Sequence, residues 1–236
     1  DSIHSGDNIF IHTGCGEPQY LVQSLFSYIE SHPKAFFDLS AFHVWTLGVA
    51  PYANAKFSRN FRHNSFFVGD STRNAVNTGL ADYTPVFLSN TPDLFYSGRV
   101  PIDIALIQCS LPDNHEYLNL GVSVDIVKSA VKSASLVIAQ VNSHMPRVHG
   151  DGFLHIDEID YIIPHNEPIL EYNAAPLEDP LYCQNAVKIG KYVARLIQDG
   201  DTIQVGYGSI PDAVMTNLTE KKQLGVHTEL ISDGLI

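Results

Sequence analysis

Basic residues are scarce in this chain. Lys and Arg number 14 against 26 Asp and Glu in 236 residues, a formal charge of −12. A surface that gains affinity by neutralising many phosphates needs the opposite balance, so nucleic acid is not an expected partner. Cysteine is scarcer still: Cys15, Cys109 and Cys183 are odd in number, far apart and without a CxxC pair. Neither a disulfide framework nor a thiolate zinc site is encoded, and a reducing compartment fits. No uncharged apolar run approaches the ~20 residues of a membrane helix, and no basic segment followed by an apolar stretch opens the chain. The expectation is a soluble, cytoplasmic protein without a membrane partner. GxGxxG, the G-x-S-x-G elbow and HExxH are also missing, which disfavours a dinucleotide fold, a serine hydrolase and a helical zinc site.

What is present is enough apolar sequence for a full core: 44% hydrophobic residues against 17% charged. Apolar, β-branched runs at Asn8 to Gly14, Phe37 to Leu47, Pro85 to Leu88, Ile102 to Cys109 and Leu136 to Val141 read as strands. Their near-continuous hydrophobicity predicts burial on both faces. Helical spacing lies between them, with Leu21, Leu25 and Ile29 after Pro18, and Val124, Val127, Val131 and Ala134 beside Lys128 and Lys132. This alternation predicts an α/β fold, a mostly parallel sheet with helices on both faces.

From Pro164 to Pro180 the chain is proline-rich and acidic, with no Lys or Arg, as an inter-domain linker would be. A helix at Asn185 to Ile197, a strand at Thr202 to Tyr207, a helix at Pro211 to Leu218 and a strand at Val226 to Ile231 follow. We expect a first domain with its linker over 1–180 and the beginning of a second over 181–236. The start at Asp1 and the end at Ile236 read as those of an excerpt from something longer. An internal echo supports the division. Gly6, Asp7, Ile9, Gly14, Gly16 and Pro18 match Gly200, Asp201, Ile203, Gly206, Gly208 and Pro211 once short gaps are allowed.

Each Gly-x-Gly turn stands between a strand and a helix, where free backbone N–H groups suit a phosphate, a carboxylate or an oxyanion. Strand-to-helix turns also need glycine for geometry alone. His149, Asp151, His155, Asp157, Glu158 and Asp160 crowd one segment, which reads better as a polar hairpin or loop than as a metal site, and no metal is expected. Asp70, Ser71, Thr72 and Arg73 follow an apolar run, as a capping or anion-binding turn does. Glu229 lies in a strand-like apolar stretch, where a carboxylate is either structurally paired or held for chemistry.

The stretches GCGEPQYLV, HVWTLG, GDSTRNAVNTGLADYTPVFL, GVSVDIVKSAVKSASLVIAQVN, HGDGFLHIDEID, GYGSIPDAV and LGVHTELISDG resemble the acetyl-CoA hydrolase/CoA-transferase family, class I CoA-transferases, over essentially the whole chain. The resemblance implies two similar α/β domains of the CoA-transferase (NagB/RpiA-like) type, the second truncated here. It implies Glu229 as a nucleophile that carries CoA as a glutamyl-CoA thioester. Gly14, Gly16, Glu17, Ser71, Gln204, Gly206 and Gly208 are the implied substrate and CoA-binding positions, and Lys188, Lys191, Lys221 and Lys222 could meet CoA phosphates. Coenzyme A is then a substrate and no cofactor is tightly bound. The partners are an acyl-CoA and a short-chain carboxylate, and the protein is a homo-oligomer. An acyl-CoA hydrolase and a non-catalytic CoA-binding module are the alternatives. Because the family's glycine-rich oxyanion segment lies beyond Ile236, the 236 residues alone are expected not to turn over.

Overall fold

The computed structural model describes residues 2–48, 50–172 and 180–235. It divides into two compact units, Asp1–Glu171 and Tyr172–Ile236.

The first unit is built on seven parallel strands: β1 (Asn8–Ile11), β2 (Leu39–His43), β3 (Phe61–Ser65), β4 (Ala81–Tyr83), β5 (Ile104–Cys109), β7 (Leu136–Val141) and β9 (Tyr161–Pro164). Their order is β4-β3-β2-β1-β5-β7-β9. A separate antiparallel pair joins β6 (Tyr117–Asn119) to β8 (Phe153–His155). The central strands β1, β2 and β5 are buried on both faces, as their hydrophobicity predicts, whereas the edge strand β9 is largely exposed. One face, with Ile9, Ile11, Ile104 and Leu106, packs on Val22, Phe26 and Ile29 of helix α1 (Gln19–Ser31). The other, with Phe10, Ala105 and Ile107, packs on Phe95 of α3 (Thr91–Tyr96) and on Val127, Ala130 and Val131 of α4 (Val127–Ser133). Helix α2 (Asp70–Asn77) joins β3 to β4.

The order in which strands are added reverses at the centre of this parallel sheet. From β1 the chain crosses through α1 to β2 on one side, whereas from β5 it crosses through α4 to β7 on the other. Two connections that leave adjacent strands in opposite directions open a crevice beyond the strands' carboxyl ends, the usual ligand position in such sheets.

Several sequence expectations need correction. Pro85 to Leu88 is not a strand: pairing runs through Ala81–Tyr83 and ends with the Thr84 amide on Ser65 O, because Pro85 has no N–H to continue it. Phe37 to Leu47 shortens to Leu39–His43, since Asp38 takes a left-handed φ of 57° that breaks the extended run. Asn8 to Gly14 shortens likewise, with Gly14 at φ 58°. The Phe61–Ser65 strand escapes the hydrophobic pattern because Arg62, His63 and Asn64 interrupt it. His63 is nevertheless buried, with its ring nitrogens bonded to Ala41 O and Ser65 Oγ. In the segment expected as a linker, Pro164 closes β9, and 173–179 lies outside the described residues.

The second unit holds α5 (Pro180–Ala194), β10 (Thr202–Ile203), α6 (Ser209–Met215) and β11 (Gly225–Val226), with β10 parallel to β11. Gly190 lets the α5 and α6 backbones meet, since a Cβ there would stand 2.3 Å from Ala213 O. The expected strand from Val226 to Ile231 is only Gly225–Val226, and 227–232 is irregular.

The internal echo is real at the level of single hydrogen bonds. Gly6 and Gly200 have φ of 88° and 86°. The Asp7 carboxylate accepts the His4 amide at 2.7 Å, and the Asp201 carboxylate accepts the Gln198 amide at 2.8 Å. Asp7 O and Asp201 O then receive Ser40 N and Gly225 N, each from the neighbouring parallel strand. No helix among the described residues is long and apolar enough to cross a membrane.

Candidate functional site

In the first unit the residues of interest gather at the crevice. After β1 the chain turns through Gly14, Cys15, Gly16 and Glu17 into α1. Gly14 donates its N–H to Trp45 O at 3.1 Å and bridges Thr46, which draws this turn against the one that follows β2. Ser71, in the first turn of α2, donates its hydroxyl to Thr46 O at 3.0 Å. Trp45 and Thr46 thus sit between the glycine turn and Ser71, a position that nothing in their local sequence pattern reveals.

His12 buttresses this turn from beneath. Its Nδ1 accepts the Gln108 amide at 3.1 Å, so its Nε2 donates to Ser123 O at 2.6 Å. Complete burial pushes its pKa down to about 4, and the ring is neutral. A Cβ on Gly16 would lie 2.4 Å from that Nε2, so glycine is required for space. Thr13 donates its hydroxyl to Asp125 in the same layer.

From the β5 and β7 side come Gln108, Gln140 and Asn142. The Gln108 amide nitrogen donates to Glu17 O at 3.2 Å, Asn142 Nδ2 donates to Gln108 Oε1 at 2.8 Å, and Gln140 Nε2 donates to Glu167 Oε1 at 2.7 Å. Such a buried amide network holds the turn rigidly from behind. These amides were missed from sequence because Gln108 and Gln140 sit inside apolar strands and Asn142 directly follows one.

Glu17 is wholly buried. The Gln19 amide, the Gly48 N–H and the Tyr52 hydroxyl face its carboxyl, but neither oxygen is met in good hydrogen-bond geometry, and burial pushes the pKa up to about 8. The group is un-ionised at neutral pH.

The His149 to Asp160 segment does not converge. Asp151 pairs with Lys128, His155 caps the turn at Ile156–Glu158, and Asp160 accepts the Val137 amide. Among the described residues no three His, Cys, Asp or Glu side chains come together as metal ligands.

In the second unit Glu229 is exposed, in a bend beyond β11 and not inside a strand. Thr228 holds it there: its Oγ1 accepts the Val205 amide at 3.0 Å and donates to Val205 O at 2.8 Å. On the other side Ser232 donates to Asp212 of α6 at 3.1 Å. Glu229 is therefore pinned from both sides next to the turn Gln204 to Gly208. Gln204 and Gly206 are exposed on that turn, and Gly208, at φ 122°, precedes α6.

Comparison with known proteins gives the family. The acetyl-CoA hydrolase/transferase N-terminal domain matches residues 1–171. The chain is 45% identical over 228 residues to the 4-hydroxybutyrate coenzyme A transferase of Clostridium kluyveri, covering 97% of this chain and 51% of that one. It is 40% identical to the succinyl-CoA:acetate/propanoyl-CoA:succinate CoA transferase of Fasciola hepatica, covering 99% and 47%. The crystal structure of a 4-hydroxybutyrate CoA-transferase from Porphyromonas gingivalis superposes with a TM-score of 0.80 at 30% identity, over 100% of this chain and 53% of that one. The chain thus spans about half the length of the curated relatives it matches. With a domain profile matched along the whole first unit, and relatives aligned through both units, this chain belongs to the acetyl-CoA hydrolase/transferase family.

Proposed function

We propose that a protein carrying this chain, at the length of its relatives, transfers CoA between a short-chain acyl-CoA and a carboxylate, with Glu229 as the covalent carrier. The observation that carries the transferase reading is the similarity, along nearly the whole chain, to relatives named as CoA transferases; the choice of Glu229 follows the resemblance of LGVHTELISDG to the family's motif. The doubly pinned position of Glu229 supports it, because a nucleophile must be held in an attacking geometry.

The Glu229 carboxylate attacks the thioester carbonyl; the tetrahedral intermediate collapses to an acyl-glutamyl anhydride and expels CoA thiolate. The thiolate then attacks the glutamyl carbonyl, giving glutamyl-CoA and releasing the first carboxylate. An acceptor carboxylate attacks glutamyl-CoA, and the same two steps run in reverse to restore Glu229 and form the new acyl-CoA. Each step exchanges one acyl bond for another, so no oxidant or metal is called for. Backbone N–H groups of the Gln204 to Gly208 turn are proposed to face the developing oxyanion, and Gly14, Gly16, Glu17 and Ser71 are proposed as substrate and CoA-binding positions of the first unit. CoA is a substrate in this scheme, and no tightly bound cofactor is used. The proposal includes a second domain of the same kind opening at 181–236, which the repeated Gly-Asp turn supports, and a homo-oligomer, which sedimentation would decide.

Intact mass of the relatives-length protein, wild type and Glu229→Gln, is read after acetyl-CoA and borohydride or hydroxylamine trapping. Modification confined to Glu229 in the wild type is expected. Binding of acetyl-CoA without modification would overturn the reading in favour of a CoA-binding module. Release of free CoA without an added carboxylate would make the protein a hydrolase using the same glutamate.

A further inference from the structure

The buried Glu17 carboxyl makes or breaks no bond in the chemistry above, and its surroundings are unusual for a carboxyl. We infer that Glu17 is a positioning residue: its side chain joins the turn after β1 to the turn after β2 and so fixes the cleft wall formed by Gly14, Trp45 and Thr46. This inference deepens the proposed function, because that wall serves catalysis only if the transferase reading holds.

The geometry is specific. Glu17 is held at its backbone by Gln108, while its side chain reaches the other way, across to the β2 turn. A Cβ on Gly48 would lie 2.8 Å from Glu17 Oε2 and 2.4 Å from Gln19 Nε2, so the bare backbone of Gly48 makes the room for these two side chains. The Gly48 amide in turn donates to Thr46 Oγ1 at 2.8 Å, linking the acid's seat to the residue that bridges Gly14 and receives Ser71. Trp45 packs directly against Gly14.

Burial outweighs the Gln19 amide, the Gly48 N–H and the Tyr52 hydroxyl, each of which favours an ionised carboxyl. Tyr52, from the turn Pro51–Ala53, faces it, and the Tyr52 hydroxyl lies 3.1 Å from His43 Nδ1 of β2. The His63 ring of β3 lies tilted against those of His43 and Tyr52, with centroids 4.4 and 4.9 Å away, and His12, just after β1, lies behind Gly16. Burial keeps all three histidines neutral at neutral pH, and among the described residues no Lys or Arg pairs with Glu17. A proton on Glu17 therefore lets the two turns close over it, and its loss leaves an uncompensated charge beneath the wall.

The test uses the relatives-length protein as wild type, Glu17→Gln, Glu17→Ala and Trp45→Phe. Infrared spectra should show an un-ionised carboxyl band at pH 6 that disappears with a midpoint near pH 8 and is missing in Glu17→Gln. Trp45 emission, isolated by difference from Trp45→Phe, should shift with the same midpoint in wild type and not in Glu17→Gln. Wild-type kcat should fall along that limb, Glu17→Gln should lose the limb, and Glu17→Ala should lower kcat by about tenfold or more with KM little changed. An absent band, or a Trp45 shift that survives in Glu17→Gln, overturns the inference. A titrating band with Trp45 and kcat indifferent to it also overturns the inference, since it marks an acid serving stability alone. If the infrared and Trp45 results hold while Glu229→Gln keeps full activity, the transferase reading fails and the positioning role stands.

Discussion

Thr228 and Val205 exchange both hydrogen bonds through a single side-chain oxygen: Thr228 Oγ1 accepts from Val205 N at 3.0 Å and donates to Val205 O at 2.8 Å. A hydroxyl here does what a further rung of the parallel β10–β11 pair would do, and leaves the chain free to bend at the next residue, Glu229. A methyl group in its place leaves two backbone groups without their partner.

Thr228→Ser, which keeps the hydroxyl, should hold kcat within about threefold of wild type. Thr228→Val should lower kcat by ~10–10² with a smaller change in KM, as a displaced nucleophile does. Steady-state kinetics with acyl-CoA and carboxylate measure both. Equal losses in the two variants would show that the hydroxyl is not what holds Glu229.

Stability should depend on pH in opposite senses above and below pH 6.5. Glu17 has a raised folded value, about 8 against 4.5, so the folded state binds the extra proton and stability falls as pH rises toward 8. Between pH 6.5 and 8 the loss is about 2 kcal/mol, and Glu17→Gln should abolish it. His12 and His63 are lowered from 6.5 to about 4, and His43 also lies well below its ordinary value, so their stabilisation is lost as pH falls below 6.5. Three histidines outweigh one carboxyl there, and acid should unfold the first unit. Urea melts at a series of pH values read both limbs.

Gly48→Ala should destabilise the first unit by about 1–3 kcal/mol, because its Cβ would drive into Gln19 and Glu17. The φ of Gly48 is not left-handed, so the cost is steric and not conformational. Thermal denaturation of Gly48→Ala and of Gly48→Ala/Gln19→Ala separates the two, since trimming Gln19 should recover part of the loss.

Gly190→Ala should act on the second unit, through the 2.3 Å approach to Ala213 O between α5 and α6. Hydrogen exchange should quicken in 180–218 and stay unchanged in β1, β2 and β5. Uniform quickening would show that the two units unfold together.

The parallel sheet was legible because buried strands must be apolar on both faces: the run expected from Ile102 forms Ile104–Cys109, and Leu136–Val141 forms as expected. The Phe61–Ser65 strand was illegible because its polar residues find partners only once folded, His63 on Ala41 and Ser65, Arg62 on Asp82. Glu229 was found through a motif resembling the family's and not through periodicity. Its apolar neighbours predict a strand, yet pairing stops at Val226 and leaves the carboxylate exposed.

By itself the sequence determined the α/β class, the two glycine turns, their shared Gly-Asp entry and the family. The first three depend on local spacing, which a chain displays directly, and the family on the resemblance of its long collinear stretches. Only the tertiary structure decided that Glu17 is buried and un-ionised and that Gly48 makes room for it. It also assigned Thr46 its place between Gly14 and Ser71, and Thr228 its hold on Val205. Each of these is a meeting of residues distant in the chain, and the burial that shifts a carboxyl's proton affinity exists only once those distant segments have packed.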